Sequence, residues 1–324
     1  MDLKIWERKD VKFWLLCLLS LIVSQVGLVF LVYLVPLHII FRRWGAREFW
    51  IAAGVVSAGI ILISYIFLRG IEEPGLQRLY LSLEIGVRLM FLLGLGIMLD
   101  DRIVKVAGIY RFLIASAVVG IIGIMIFQGF FNNDQFSALI LAEFDRMGQM
   151  FQAGNEIEGG FDDAIIADVF SGPEMMETVK SVFMSSFASW FSFGLLFFWR
   201  VGEGINAMLN KVAPVKLRDF HVPKTLLWPV LIGWFLVIIQ FVLPLGRAGM
   251  VFWNVALILS LVYALQGVAI LQTLMVRFKI PRGLRFLTAM VLISLLLQPG
   301  PNAVVMVIVP ALGISETWIR FRNN

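Results

Sequence analysis

Cysteine is almost absent, with Cys17 alone in a chain of 324 residues. A disulfide-stapled secreted scaffold is thereby excluded. Histidine is nearly as scarce, limited to His38 and His221, so a metal centre built on histidine and cysteine has almost nothing to draw on. Charge is thin at 15% of residues, against roughly 25% in an ordinary soluble domain. Catalytic signatures are missing as well. There is no Walker A sequence and hence no P-loop for ATP. There is no G-x-S-x-G and no H-E-x-x-H. No enzymatic activity, no cofactor and no metal are expected.

Apolar residues take the place of what is missing. They make up 60% of the chain, and the mean hydropathy is +0.90. A single soluble core of this length cannot bury so much. The 28 Phe and 10 Trp exclude disorder. The class that remains is an all-α polytopic transmembrane bundle, with the lipid bilayer as its first partner.

Eight apolar stretches reach or approach the roughly 17–25 residues that cross a bilayer: 13–41, 47–68, 76–99, 104–130, 179–199, 226–244, 251–276 and 284–314. The first and last are too long for one crossing. Each carries a break, Ser24-Gln25-Val26-Gly27 followed by Pro36 in the first, and Pro299-Gly300-Pro301-Asn302 in the last. Single helices at both ends give eight crossings, and hairpins give ten. Tryptophans 14, 44, 50, 199, 228, 253 and 318 fall near stretch ends, where amphipathic rings settle. Small-residue pairs Ala53/Ser57, Gly54/Ala58 and Ser116/Gly120 permit close helix contact.

Charge divides the chain into residues 1–130, 131–178 and 179–324. The middle segment holds ten acidic residues and one basic one, Arg146; its net charge is −9 within a chain of net +5. Elsewhere the basic residues gather in short loops: Arg42, Arg43 and Arg47; Arg102 and Lys105; Lys211, Lys216, Arg218 and Lys224; Arg277, Lys279, Arg282 and Arg285. The positive-inside bias makes these loops cytoplasmic and 131–178 extracytoplasmic. The basic balance therefore speaks for membrane orientation, and nucleic acid is not an expected partner. Basic residues at both termini favour the hairpins and ten crossings. The start of the chain reads as a retained anchor, since no small-residue cleavage site follows it.

Within the acidic segment, 136–151 reads as an amphipathic helix with Phe136, Phe144 and Phe151 on its apolar face, a candidate outer lid. Gly154–Gly160 reads as a flexible connector. A second amphipathic run carries Phe161, Ile165 and Val169, and Ser171-Gly172-Pro173-Glu174 reads as the cap of the next helix. Carboxylates cluster at Glu156, Glu158, Asp162 and Asp163, without the alternation of a calcium loop.

Charges inside the hydrocarbon are costly and mark function. Glu84 and Arg88 stand four apart in an apolar span, so they share a helix face and can pair. Such a pair is either a wall of a polar cavity or a buried packing element. Gln240, Asn254, Gln266 and Gln272 are further polar groups in apolar spans, suited to a substrate site or to interhelical hydrogen bonding. Arg111 reads as a snorkelling residue, and Glu203 with Asn206 and Asn210 as a solvated helix end.

Several short motifs resemble one family. They are Leu34-Val35-Pro36-Leu37-His38 before Arg42-Arg43-Trp44-Gly45; Phe220-His221-Val222-Pro223-Lys224 before Leu226-Leu227-Trp228-Pro229; Leu265-Gln266-Gly267-Val268-Ala269 in the span that Asn254 begins; and a closing run from Leu312-Gly313-Ile314-Ser315-Glu316 to Arg322. Together they resemble the YybS-like family of bacterial membrane proteins, whose function is unknown. That family is similar to the substrate-binding subunits of energy-coupling-factor vitamin transporters and to rod-shape-determining membrane proteins of the MreD kind. The resemblance implies a solute-binding or transport-related subunit that works with other membrane subunits and a separate ATPase. The acidic segment would then be an enlarged outer loop beside a substrate site. The second expectation is a non-catalytic envelope or cell-shape scaffold.

Overall fold

A computed structural model describes residues 9–26, 31–70, 74–158, 173–211, 216–243, 245–297, 301–319 and 321–322. Every regular element among them is helical. The chain forms two compact units, residues 1–202 and 203–324.

The first unit begins with α1 (Lys9–Ser24), α2 (Leu34–Trp44) and α3 (Ala46–Leu68). The long 13–41 stretch is thus broken where its polar and glycine residues predict. Phe13 and Trp44 lie with ring centroids 6.0 Å apart, and Lys9 Nζ is 3.0 Å from Glu48 Oε1. α1 and α2 therefore run antiparallel, with the start of α1 beside the end of α2. Gly45, at φ 95°, makes the sharp corner into α3; a side chain there would strain the backbone.

α4 (Pro74–Leu99), α5 (Gly108–Phe131) and the first part of α7 (Pro173–Asn210) pack through phenylalanine against small residues. Phe91 and Phe191 lie 4.4 Å apart, and Phe127 lies 4.7 Å from both Phe183 and Phe187. Glycine opens the room: a Cβ on Gly94 would come within 2.8 Å of the Phe191 ring, and one on Gly120 within 2.9 Å of Ala188. Close helix approach through small residues is how bundles pack where apolar burial distinguishes little between helix and lipid. Of the expected small-residue pairs, Ser116 and Gly120 are both buried, whereas Gly54 meets open space.

α6 (Asp134–Glu158) is longer than the expected 136–151 helix. Gly154–Glu158 is helical and not a flexible connector, because one glycine costs only about 1 kcal/mol and the glutamates that follow are good helix formers. Gly159–Gly160, the run with Phe161, Ile165 and Val169, Asp162 and Asp163, and the Ser171-Gly172 cap lie outside the described residues. Phe136 packs on Phe130 and Phe131, each at 5.6 Å, which seats α6 on the end of α5.

The second unit contains the end of α7, single 3-10 turns at Leu217–Asp219 and Lys224–Leu226, and four helices: α8 (Leu227–Gln240), α9 (Arg247–Arg277), α10 (Arg282–Leu297) and α11 (Pro301–Ser315). The long 284–314 stretch is again two helices. α9 and α11 are antiparallel and in backbone contact. A Cβ on Gly267 would strike the Val309 carbonyl oxygen, and one on Gly313 the Tyr263 carbonyl oxygen.

Among the described residues five helices are long and apolar enough to cross a membrane: α3, α4, α5, α7 and α9. Shorter apolar helices are Lys224–Gln240, which includes α8, and Ala303–Ser315 in α11.

Candidate functional site

Glu84 and Arg88 meet as expected. The Arg88 Nη1 donates to Glu84 Oε1, with the Arg88 side chain 9% exposed and that of Glu84 35% exposed. Arg88 does more than its spacing from Glu84 predicts. Its Nη2 donates to the carbonyl of Ser24 at 2.9 Å, at the last residue of α1. Tyr33 Oη donates to the Arg88 carbonyl, and Ser20 Oγ donates to the Tyr33 carbonyl at 2.6 Å. Gln25 Nε2 donates to Ser24 Oγ at 2.9 Å. Ser20, Ser24 and Tyr33 are fully buried.

This cluster has a physical logic. Breaking a helix at Ser24 leaves carbonyls without their amide partners. In an apolar setting each such group is costly. A guanidinium supplies the missing donors and suits the negative end of the helix dipole. Glu84 balances its charge. Glu84 Oε2 accepts no hydrogen bond among the described residues, and the exposure of the side chain leaves it open to a further donor.

The other polar candidates, Gln240, Asn254 and Gln266, belong to the second unit, and within it they do not converge on one another. Asn254 is buried, and its Nδ2 donates to Met250 O of its own helix at 2.8 Å. The Gln240 side chain lies over Gly249, where its Oε1 is buried with no hydrogen-bond partner among the described residues. Gln266 is a bridge: its Oε1 accepts from the Val222 amide at 2.6 Å, and its Nε2 donates to Gly313 O at 2.9 Å. Arg322 Nη1 donates to the carbonyls of Arg218 and Phe220, both at 2.7 Å, while its guanidinium pairs with Glu316. The motif residues around Phe220–Pro223, Gln266–Gly267 and Gly313–Arg322 therefore form one knot.

One expectation is corrected. Glu203 is buried, because α7 runs on to Asn210 and places it two turns inside the helix. Trp50 is more than an interfacial ring: its Nε1 donates to Asp100 Oδ2 at 3.1 Å. Asp100 itself was not singled out. It is buried at the end of α4 and accepts from the Arg102 side chain at 2.9 and 3.0 Å and from the Arg102 amide at 3.0 Å. The hydrogen bonds of Arg102, then that of Trp50, hold its carboxyl down to about 2. Nearby, Arg111 Nη1 donates to Leu99 O at 3.1 Å.

Of the lid residues, Phe136 and Phe144 are half-buried on α6, while Met147 and Met150 are exposed; the Phe151 side chain lies outside the described residues. His38 is buried against Gly202, and His221 is exposed. No group of three His, Cys, Asp or Glu side chains suited to a metal occurs among the described residues. Comparison of the chain with protein-family models, with curated proteins and with solved structures returns no match.

Proposed function

We propose that this chain is a multi-pass subunit of the bacterial cytoplasmic membrane that binds a small solute at the tip of the α1–α2 hairpin and has no ATPase of its own. The observation that carries this reading is the depth of the polar cluster. Arg88 stands about 16 Å from the Leu99 end of α4 at 1.5 Å per residue. That is halfway through a hydrocarbon core of about 30 Å. Broken helices meeting charged groups at the midplane are how secondary transporters build solute sites. Arg88 holds the broken end, and Glu84 faces outward beside it, so Glu84 is the residue assigned to the solute. The solute must bring a cation or hydrogen-bond donor to that carboxylate.

The basic loops face the cytoplasm in this reading, and α6 lies at the outer surface as a cover. Partners are further membrane subunits and a separate ATPase. The test is mass spectrometry of what co-purifies with the tagged full-length protein from its own host in mild detergent. An ATPase and a coupling membrane subunit in stoichiometric amounts support the reading. Wall-synthesis or cytoskeletal proteins in their place overturn it in favour of the envelope scaffold.

A further inference from the structure

The second unit contains a cavity of about 280 Å³ between α9 and α10, with Arg218 at its edge. We propose that this cavity holds the phosphate headgroup of an anionic phospholipid, with an acyl chain running along its apolar wall. The proposal does not depend on the solute site in the first unit.

Three arginines line the cavity, Arg218, Arg282 and Arg285, and no carboxylate does. Arg218 has a carboxylate neighbour outside the lining, Asp219, at 3.7 Å. Neither Arg282 nor Arg285 forms an ion pair among the described residues. The Nε of Arg285 is buried with no hydrogen-bond partner among them. A buried cationic donor without an acceptor loses its hydration and gains nothing in return. Three arginines in one lining also concentrate like charge there. A phosphate answers both costs, since its oxygens match the guanidinium fork and its charge neutralises the cluster.

The rest of the lining separates a lipid from a free phosphate. Val268, Leu271 and Leu292 form an apolar wall. A soluble phosphorylated compound gains nothing from that surface, whereas an acyl chain does. The volume fits a headgroup, and the hydrocarbon lies along that wall. Basic pockets between membrane helices at the cytoplasmic face bind acidic headgroups in this manner.

The test uses native mass spectrometry of the full-length protein in mild detergent. The probes are phosphatidylglycerol and phosphatidylcholine of matched chains, with inorganic phosphate as a competitor. Phosphatidylglycerol is expected to bind preferentially. Each arginine near a membrane surface contributes enough for about a fivefold change, so R282Q should weaken binding about fivefold and R282Q/R285Q about thirtyfold. R277Q/K279Q alters the same turn outside the cavity and should leave binding within about twofold of the parent, well inside the effect of one arginine. Arg282 is exposed, so R282Q keeps the test valid if the double variant does not fold. Equal binding of the two lipids overturns the proposal. So does unchanged binding in R282Q, or an equal loss in R277Q/K279Q. Displacement of the lipid by millimolar inorganic phosphate overturns the lipid assignment.

Discussion

Asp100 shows how one side chain fastens a helix end. Its carboxylate accepts from Trp50 on α3 and three times from Arg102 beyond α4. Its proton affinity in the folded state is lowered to about 2, against roughly 3.9 in an unfolded chain. The sign follows: a depressed carboxyl adds stability above the unfolded value, and that contribution is lost as pH falls from about 4 towards 2. D100N should therefore lower the unfolding midpoint at pH 7 by a few degrees. It should also flatten the fall in midpoint between pH 5 and about 2.5 relative to the parent. Thermal unfolding of both proteins in one detergent measures this, and parallel curves would refute it. Glu84 and Arg88 make the opposite pairing. R88Q leaves the buried Ser24 carbonyl at the end of α1 and the Glu84 carboxylate without their donor, so the purified protein should aggregate; a buried acceptor left unsatisfied costs roughly 1–3 kcal/mol. E84Q keeps an acceptor for Arg88 and should remain monodisperse by size exclusion while losing solute-dependent activity. If E84Q retains full activity, the carboxylate is structural. The Glu84/Arg88 pair was legible because spacing along one helix fixes it. The Ser24 carbonyl, Tyr33 and the Trp50–Asp100 bond were not, because they join residues far apart in sequence.

The helices themselves were largely legible. Their apolar lengths and the Ser24–Gly27 and Pro299–Asn302 breaks gave the boundaries of α3, α4 and α5 to within a few residues and the splitting of both end stretches. The contacts between helices were not. An apolar span is greasy on every side, so composition does not say which glycine meets a neighbour. Gly54 has the same spacing signal as Gly120, yet only Gly120 lies against another helix. The sharpest case is α9 against α11, where Gly267 and Gly313 bring backbone to backbone and Gln266 ties the same crossing to the Val222 loop. A methyl group at either glycine must push carbonyl oxygens apart, and no side chain can yield. G267A and G313A are each expected to cost at least the roughly 1–3 kcal/mol of an overpacked core. G54A meets open space and should be neutral or slightly stabilising through its better helix propensity. Midpoints of thermal unfolding in detergent compare the three. A G267A midpoint equal to that of G54A would show that this crossing does not hold the unit together.

The course of the chain through the membrane follows from lengths and from what each terminus touches. α1 and α2 have 16 and 11 residues, or about 24 and 16 Å, and α2 is too short to cross. In the proposed reading the end of α1 that Arg88 holds lies at the depth of the midplane. We infer that the hairpin enters and returns, which puts Lys9 with Glu48 on the side of the Arg42–Arg47 loop. At the other end Arg322 is bound to the carbonyls of Arg218 and Phe220, so the C-terminus stays with that basic loop. On that inference the positive-inside rule would put both basic ends on the cytoplasmic side with fewer than ten crossings. On that inference six helices cross, the five that are long and apolar enough among the described residues and α8, extended by its 3-10 turn. Two shorter pairs, α1–α2 and α10–α11, return to the side they left. Cys17 is buried, so the natural chain offers a quiet background for labelling. Single cysteines replacing Lys9, Lys105, Lys279 and Trp318 should be protected from a membrane-impermeant maleimide in intact cells and react after permeabilisation. A cysteine replacing Asp145 on α6 should react in intact cells. A cysteine at Lys9 that labels from outside would mean that the first stretch crosses fully and that the polar cluster is not the tip of a returning hairpin. The solute site proposed there would lose its geometric basis.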